Sequence, residues 1–415
     1  MLELAGLKIA LAAVALTAAA LPSPQEASEP GALDWAKAID GAVDLLLECQ
    51  ESYVPDRPVG RLDEDELAPW QEAERARLRK LRSVKMAGVE WPYEGVYRVG
   101  PDGRIPPGYR VGGTAIVCLA LIEAPGFAED GGRRAAVERG ARFMLEMLSD
   151  DPGLTAGPKA SYDVRGWGHA YALTFFLRAL DIDAFEHDQI AAAARESIPE
   201  LIRCIAACEE EGGGWNYASG RISPFMTGST LLALFHAAAR DFEVDPALIE
   251  RALDALELGR AENVAYAYAG PARGAVPMPG SAARSAIAEL ALSRAGRSDP
   301  ASLLTAVEGF FECYDDLLDR KSQQGTHEGD YAIAPYYFFF GHTYVAQAIE
   351  ALPEPARPPF REALRDKLAS TRDANGTWND RIFPRSASYS TAMAVLALLA
   401  PDLPATPDWR RKSEE

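Results

Sequence analysis

Two histidines stand at matching places in the chain. His169 lies in Gly168-His169-Ala170 and His342 in Gly341-His342-Thr343, and each triplet opens an apolar helical run. Imidazole titrates near neutral pH, so each is a candidate base or ligand donor. The ordinary reading, and the favoured one, is a cap or a hydrogen-bonded core histidine. Acids that could work with them are Asp163, Glu328 and Asp330. Aromatic residues cluster in the same stretches. Trp167, Tyr171, Trp215, Tyr217, Tyr337 and Tyr344 are candidate walls of a cavity, since ligand pockets are mostly apolar with a few polar groups. Arg284 sits in the first turn of a similar run. The helix dipole opposes a cation there, so the reading expects an acidic partner or a bound anion beside it.

Other chemistries lack their residues. The five cysteines, Cys49, Cys118, Cys204, Cys208 and Cys313, form no pair of CxxC elements and no CxxC with HxxxH. No metal site is expected from them, and no cofactor. Cys204 and Cys208 share a helix face, where disulfide geometry is poor, so they read as small buried hydrophobes. Neither a phosphate-binding glycine loop nor a GxSxG elbow is present. The net charge of −19 repels a phosphate backbone, so nucleic acid is not an expected partner. The basic run over 75–82 reads as a solvated helix in a polar insertion.

The elements that would position these residues repeat six times. Small-residue triplets open apolar runs at Gly112-Gly113-Thr114, Gly168-His169-Ala170, Gly228-Ser229-Thr230, Gly280-Ser281-Ala282, Gly341-His342-Thr343 and Tyr389-Ser390-Thr391. From third residue to third residue the gaps are 56, 60, 52, 61 and 48. Runs that are apolar all round belong inside. Small residues at their starts allow close helix approach, and Ser or Thr can cap the first turn. Each run follows an amphipathic segment. In the second of these, Ala136, Val137, Gly140, Phe143, Met144, Met147 and Leu148 form one stripe. Asp245-Pro246 and Asp299-Pro300 mark two starts, with Asp at the cap and Pro in the first turn. Strand signals are few. The expected fold is all-α, an (α/α)6 toroid of six inner and six outer helices.

Residues 1–21 carry one Lys and an apolar stretch of thirteen residues, then Pro, Ser and Gln. This reads as a signal peptide or an uncleaved N-terminal anchor, so the expected location is exported, periplasmic or extracellular. Residues 22–33 read as a linker and 34–401 as the toroid, with a polar insertion at about 50–110 that adds one helix. Residues 402–415 read as a polar, disordered tail.

Two loops carry a further signal. "EEEGGGW" ends at Trp215 and "RDANGTW" at Trp378, with a looser "GVEW" at Trp91. They resemble the Gln-rich, Gly-x-Trp repeat of the terpenoid cyclase and protein prenyltransferase superfamily. Glu209 and Arg372 stand where that repeat has Gln, and Gly213 and Gly376 where it has Gly. The resemblance implies that the Trp packs over the start of a neighbouring helix. It also implies a cavity at one end of the ring and isoprenoid or lipid chemistry. The family's catalytic motifs are missing. "GGTAIVCLAL" resembles the context of the squalene–hopene cyclase acid motif, but Gly112 and Gly113 stand where acids would be, and no DxDD exists in the chain. "GHTY" at 341–344 is similar to the His-bearing segment of prenyltransferases, without its Asp and Cys partners. "DDLLD" at 315–319 matches a magnesium-binding pattern in letters only and reads as a solvated acidic face.

Three functions stay open. The favoured one is an exported toroid without a complete catalytic motif that binds a ligand or a protein partner through an aromatic central cavity. The others are an enzyme acting on an isoprenoid lipid, and a glycoside hydrolase or polysaccharide lyase on the same ring. Two facing carboxylates, or a Tyr and His pair, would mark the last.

Overall fold

The computed structural model describes residues 33–54, 88–95, 104–151, 154, 164–217 and 220–409. The N-terminal apolar stretch, Asp163, the 75–82 basic run and the helix expected in the insertion lie outside these residues.

The outer helices are α1 (Trp35–Glu48), α3 (Gly131–Asp150), α5 (Asp188–Ala207), α7 (Pro246–Gly259), α9 (Pro300–Glu312) and α12 (Arg357–Ser370). The inner helices are α2 (Pro107–Glu123), α4 (Arg165–Asp181), α6 (Pro224–Ala239), α8 (Met278–Arg294), α11 (Phe338–Ala351) and α13 (Ser386–Leu399). A short α10 (Tyr314–Leu318) follows α9 and carries part of the DDLLD segment on the surface. The inner helices pack in the order α2, α4, α6, α8, α11, α13 and back to α2, which closes the ring. This is the (α/α)6 toroid that the repeat predicts. No strand occurs among the described residues, only isolated bridges.

Sequence explains the two layers. In α7 the buried side chains are Leu248, Ile249, Ala252, Leu253, Ala255 and Leu256, one stripe on a helix whose other face is charged. Asp245 accepts a hydrogen bond from the Ala247 amide at 2.9 Å, and Asp299 from Ser302 at 2.7 Å, as the Asp-Pro starts require. In α13 every residue but Ala387 is buried. Such a helix is covered on all sides by neighbours, here α2, α11 and α1. Glu138, on the polar side of the expected α3 stripe, is buried instead. It accepts from the Glu186 and His187 amides at 2.6 and 2.9 Å and so fixes the start of α5.

The Trp loops brace this ring in one repeated way. The indole nitrogens of Trp91, Trp215 and Trp378 donate to the carbonyls of Leu46, Ile205 and Leu368, in the last turns of α1, α5 and α12, at 2.6, 2.8 and 2.9 Å. Their backbone amides donate to Thr114, Thr227 and Thr391 on the next inner helix at 2.9, 3.0 and 3.0 Å. Each Trp therefore ties an outer helix end to an inner helix start. In the fourth repeat Tyr266 takes this place. Its amide donates to Ser281 Oγ at 2.6 Å and its hydroxyl to the buried Glu289 at 2.5 Å. The hydroxyls thus receive a neighbouring loop and do not cap their own helices. Thr227 precedes its triplet, so the small-residue register slips by one turn at the third repeat.

Gly213 has φ +98°, a left-handed conformation that favours glycine. A Cβ there would also meet the Arg251 carbonyl at 2.3 Å. The tail is placed as far as Trp409, against the expectation of disorder. The Trp409 ring stacks on Phe235 with centroids 5.8 Å apart, and its amide donates to the Arg294 carbonyl at 2.8 Å.

Candidate functional site

The starts of the inner helices and the loops before them bring aromatic side chains together. Nine of them, Tyr93, Tyr109, Trp167, Tyr217, Phe225, Tyr336, Tyr337, Phe340 and Tyr389, line one pocket and leave about 20 Å³, room for one water. Tyr93 stacks on Tyr389 at 4.1 Å and on Trp167 at 5.7 Å. Tyr109 meets Trp167 edge-on at 5.3 Å. On the other side Phe225 meets Tyr337 and Phe340 edge-on at 5.1 and 5.6 Å. Offset and edge-on contacts of this kind satisfy the ring quadrupoles. Gly112 makes room for the indole. A Cβ there would lie 2.3 Å from the Trp167 ring.

Of the residues singled out from sequence, Trp167, Tyr217 and Tyr337 line this pocket. Tyr171 and Tyr344 are buried beside it, joined hydroxyl to hydroxyl at 2.9 Å, with Tyr171 against Trp167 at 4.9 Å and Tyr344 against Phe340 at 4.6 Å. Trp215 does not line it, because its indole serves the brace to α5. The Tyr217 hydroxyl bonds that of Tyr268 at the rim.

The two histidines are core residues. His342 is fully buried, with Nδ1 donating to the Phe338 carbonyl at 2.8 Å and Nε2 3.2 Å from the Tyr314 hydroxyl. Burial pushes its pKa down to about 4, so it stays neutral at pH 7. His169 is also fully buried, and its Nε2 donates to the Leu154 carbonyl at 2.7 Å. Neither ring is among the nine that line the pocket. Their equivalent repeat places reflect packing at the inner-helix starts.

Arg284 is met by backbone oxygens. It is buried and donates to the carbonyls of Tyr266 and Gly280, and its guanidinium lies 5.8 Å from the Tyr268 ring centroid. Among the described residues no carboxylate pairs with it. Backbone oxygens and an aromatic face stabilise the charge, while burial lowers its pKa. Glu328 is largely exposed, 3.7 Å from Arg320, and Asp330 is exposed. Neither belongs to the aromatic pocket. Among the described residues no group of three or more His, Cys, Asp and Glu side chains could hold a metal ion.

One acid that sequence reasoning missed is Asp380, in the loop between Trp378 and α13. It is fully buried. Its Oδ1 accepts from Ser390 Oγ at 2.9 Å, and its Oδ2 has no hydrogen-bond partner among the described residues. Burial raises its pKa to about 7, against the opposing pull of Ser390, Arg381 and Lys321. Its partner Ser390 is the neighbour in sequence of Tyr389, which lines the pocket, so Asp380 sits close to that wall. The signal was local. Asp380 lies two residues beyond a Gly-x-Trp motif, where the chain turns back toward an inner helix.

No protein-family model matches the chain, and no curated protein matches it in sequence. Solved structures do match. An inactive variant of the alpha-1,6-mannanase of Salegentibacter sp., in complex with alpha-1,6-mannotriose, is 10% identical with TM-score 0.50, over 88% of this chain and 99% of that one. The Lin0763 protein of Listeria innocua is 11% identical with TM-score 0.50, over 89% and 98%. A variant of the type II terpene cyclase MstE from Scytonema, in complex with geranylgeranyl dihydroxybenzoate, is 15% identical with TM-score 0.47, over 89% and 97%. The chain has the α/α toroid fold. At these identities the likeness shows the fold alone, and fold does not fix activity.

Proposed function

We propose that this protein is an exported toroid that binds an apolar ligand, an isoprenoid or a similar lipid, at the aromatic end of the ring. The observation that carries the reading is the convergence of nine aromatic side chains from the starts of five inner helices and their loops, with no carboxylate among them. Such walls suit an apolar chain or ring, and they lack the two facing acids that cleavage of a glycan needs. The rings fill their own space in the free protein, so a ligand enters by turning Tyr217, Tyr337 or Phe340 aside. Titration of the full chain with geranylgeraniol, followed by tryptophan fluorescence, tests this. Binding quenches Trp167, and Trp167→Phe removes the quench. A flat titration, or a quench that survives Trp167→Phe, rejects it.

Asp380 favours a second reading, an enzyme acting on the same ligand. A carboxyl buried close to Tyr389, with a pKa of about 7 and one oxygen without a hydrogen-bond partner among the described residues, keeps part of its protons at neutral pH, one of the properties of a general acid. Under this reading Asp380→Asn retains binding, while conversion of the bound isoprenoid, followed by mass spectrometry of extracted products, stops. Equal product from both proteins removes the enzyme reading and leaves the binding one standing.

A further inference from the structure

The opposite end of the ring holds a second cavity, of about 240 Å³, to which all six inner helices contribute side chains near their C-terminal ends. That is on the order of eight water volumes at ~30 Å³ each. Residues 403–407 cross it as a strap. The strap is fastened beyond the cavity by the Trp409–Phe235 stack and by Asp408, 3.3 Å from Arg294.

We propose that this cavity is a binding site for one small neutral polyol, taken up beneath the C-terminal strap.

Charge decides against an ion. Each charged group in the wall is already answered. Glu123 pairs with Arg178 at 3.1 Å, and Asp181 meets His236 at 2.8 Å and Arg240 at 3.1 Å. Glu350 pairs with Arg361, and Arg294 with Asp408. An ionic ligand would have to break one of these pairs and strand its partner, which is costly away from bulk water. What the wall has left is neutral hydrogen-bonding capacity of both signs. The Gln347 side-chain amide lines the cavity and both donates and accepts, and the Thr174 hydroxyl, which donates to the Ala170 carbonyl at 2.9 Å, still accepts. A hydroxyl donates and accepts at once, so a polyol answers both kinds. Between these groups Leu119, Leu290, Leu396 and Pro404 offer apolar surface to the C–H faces of such a molecule.

The test is calorimetric titration of the full chain with myo-inositol, mannitol and glucose, in parallel with betaine and putrescine. The proposal expects binding by at least one of the three polyols and none by the zwitterion or the dication. Gln347 and Thr174 line the cavity outside its ion pairs, so Gln347→Leu and Thr174→Val should each weaken that binding about tenfold, the loss of about 1.4 kcal/mol. Trp409→Ala should speed both association and release by freeing the strap. Tyr217→Ala, at the aromatic end, should leave polyol affinity unchanged, so this site stands or falls apart from the lipid reading. Silence from all three polyols overturns the proposal and leaves a water-filled cavity. Polyol binding untouched by both Gln347→Leu and Thr174→Val overturns it too, as does a preference for betaine or putrescine.

Discussion

The two ends of the ring are built from the same six helices and differ in almost every property. At the N-terminal end nine aromatic side chains fill their own space. At the C-terminal end a cavity more than ten times larger is lined by ion pairs and roofed by a strap. The braces differ as well. Buried Trp residues bolt the loops of the aromatic end to both helix layers, whereas the polar end is tied by ion pairs between helix ends and by one half-buried Trp in the tail. The difference teaches where this fold can vary. Helix starts are fixed by backbone-to-hydroxyl contacts, so side chains facing the axis there can be large and rigid. Helix ends are joined instead by side-chain ion pairs such as Glu123–Arg178 and Asp181–His236, and a tail closes them.

The largest effect should come from removing a bolt. Trp378→Ala leaves a cavity and frees the Leu368 carbonyl, and is expected to cost about 4 kcal/mol in urea unfolding. A loss below about 1 kcal/mol would break the contrast between the braces. The next effects depend on pH. His342 has its folded pKa lowered to about 4 from an ordinary 6.5, so the unfolded chain takes up its proton first. Stability should fall by about 3 kcal/mol as pH drops from 6.5 to 4, and His342→Phe should flatten that slope in a series of denaturation curves. Asp380 has the opposite sign. Its folded pKa of about 7 lies above the ordinary carboxylate value, so the folded state gains stability as pH falls from 7 toward 4. Asp380→Asn should therefore stabilise the protein by about 4 kcal/mol at pH 8 and change little below pH 4. No gain at pH 8 would place Asp380 in a wetter setting than the aromatic wall. Gly112→Ala should cost about 2 kcal/mol by pushing on the Trp167 ring, seen as a shifted tryptophan emission. Trp409→Ala should cost only about 1 kcal/mol in the same urea assay, because its ring packs on a single partner ring.

Much of the architecture was legible because it is periodic. The six apolar runs, their amphipathic partners and the Asp-Pro starts correspond to the twelve helices of the ring. The Trp loops were legible as a motif, and the structure adds what they do, which is to join Leu46, Ile205 and Leu368 to the next inner helix. The site was legible only in part. Trp167, Tyr217 and Tyr337 lie in the runs that the repeat exposes. Tyr93 and Tyr389 lie far apart in sequence and meet only when α13 closes on α2. At His169 and His342 periodicity marks a position without saying whether its side chain faces the axis or a neighbouring helix, and the structure gives both rings the buried, hydrogen-bonded setting of core histidines. Asp380 was missed because burial, not residue type, gives it its character. The polar cavity was out of reach, since its walls come from six helix ends and a tail whose composition suggested disorder.

Native mass spectrometry of the purified full chain, with extraction of whatever co-purifies, tests the central claim most directly. The account predicts an apolar lipid or isoprenoid bound one to one, lost from Trp167→Ala and kept by Trp409→Ala. A bare protein mass from several expression hosts, with added geranylgeraniol failing to bind, would contradict it.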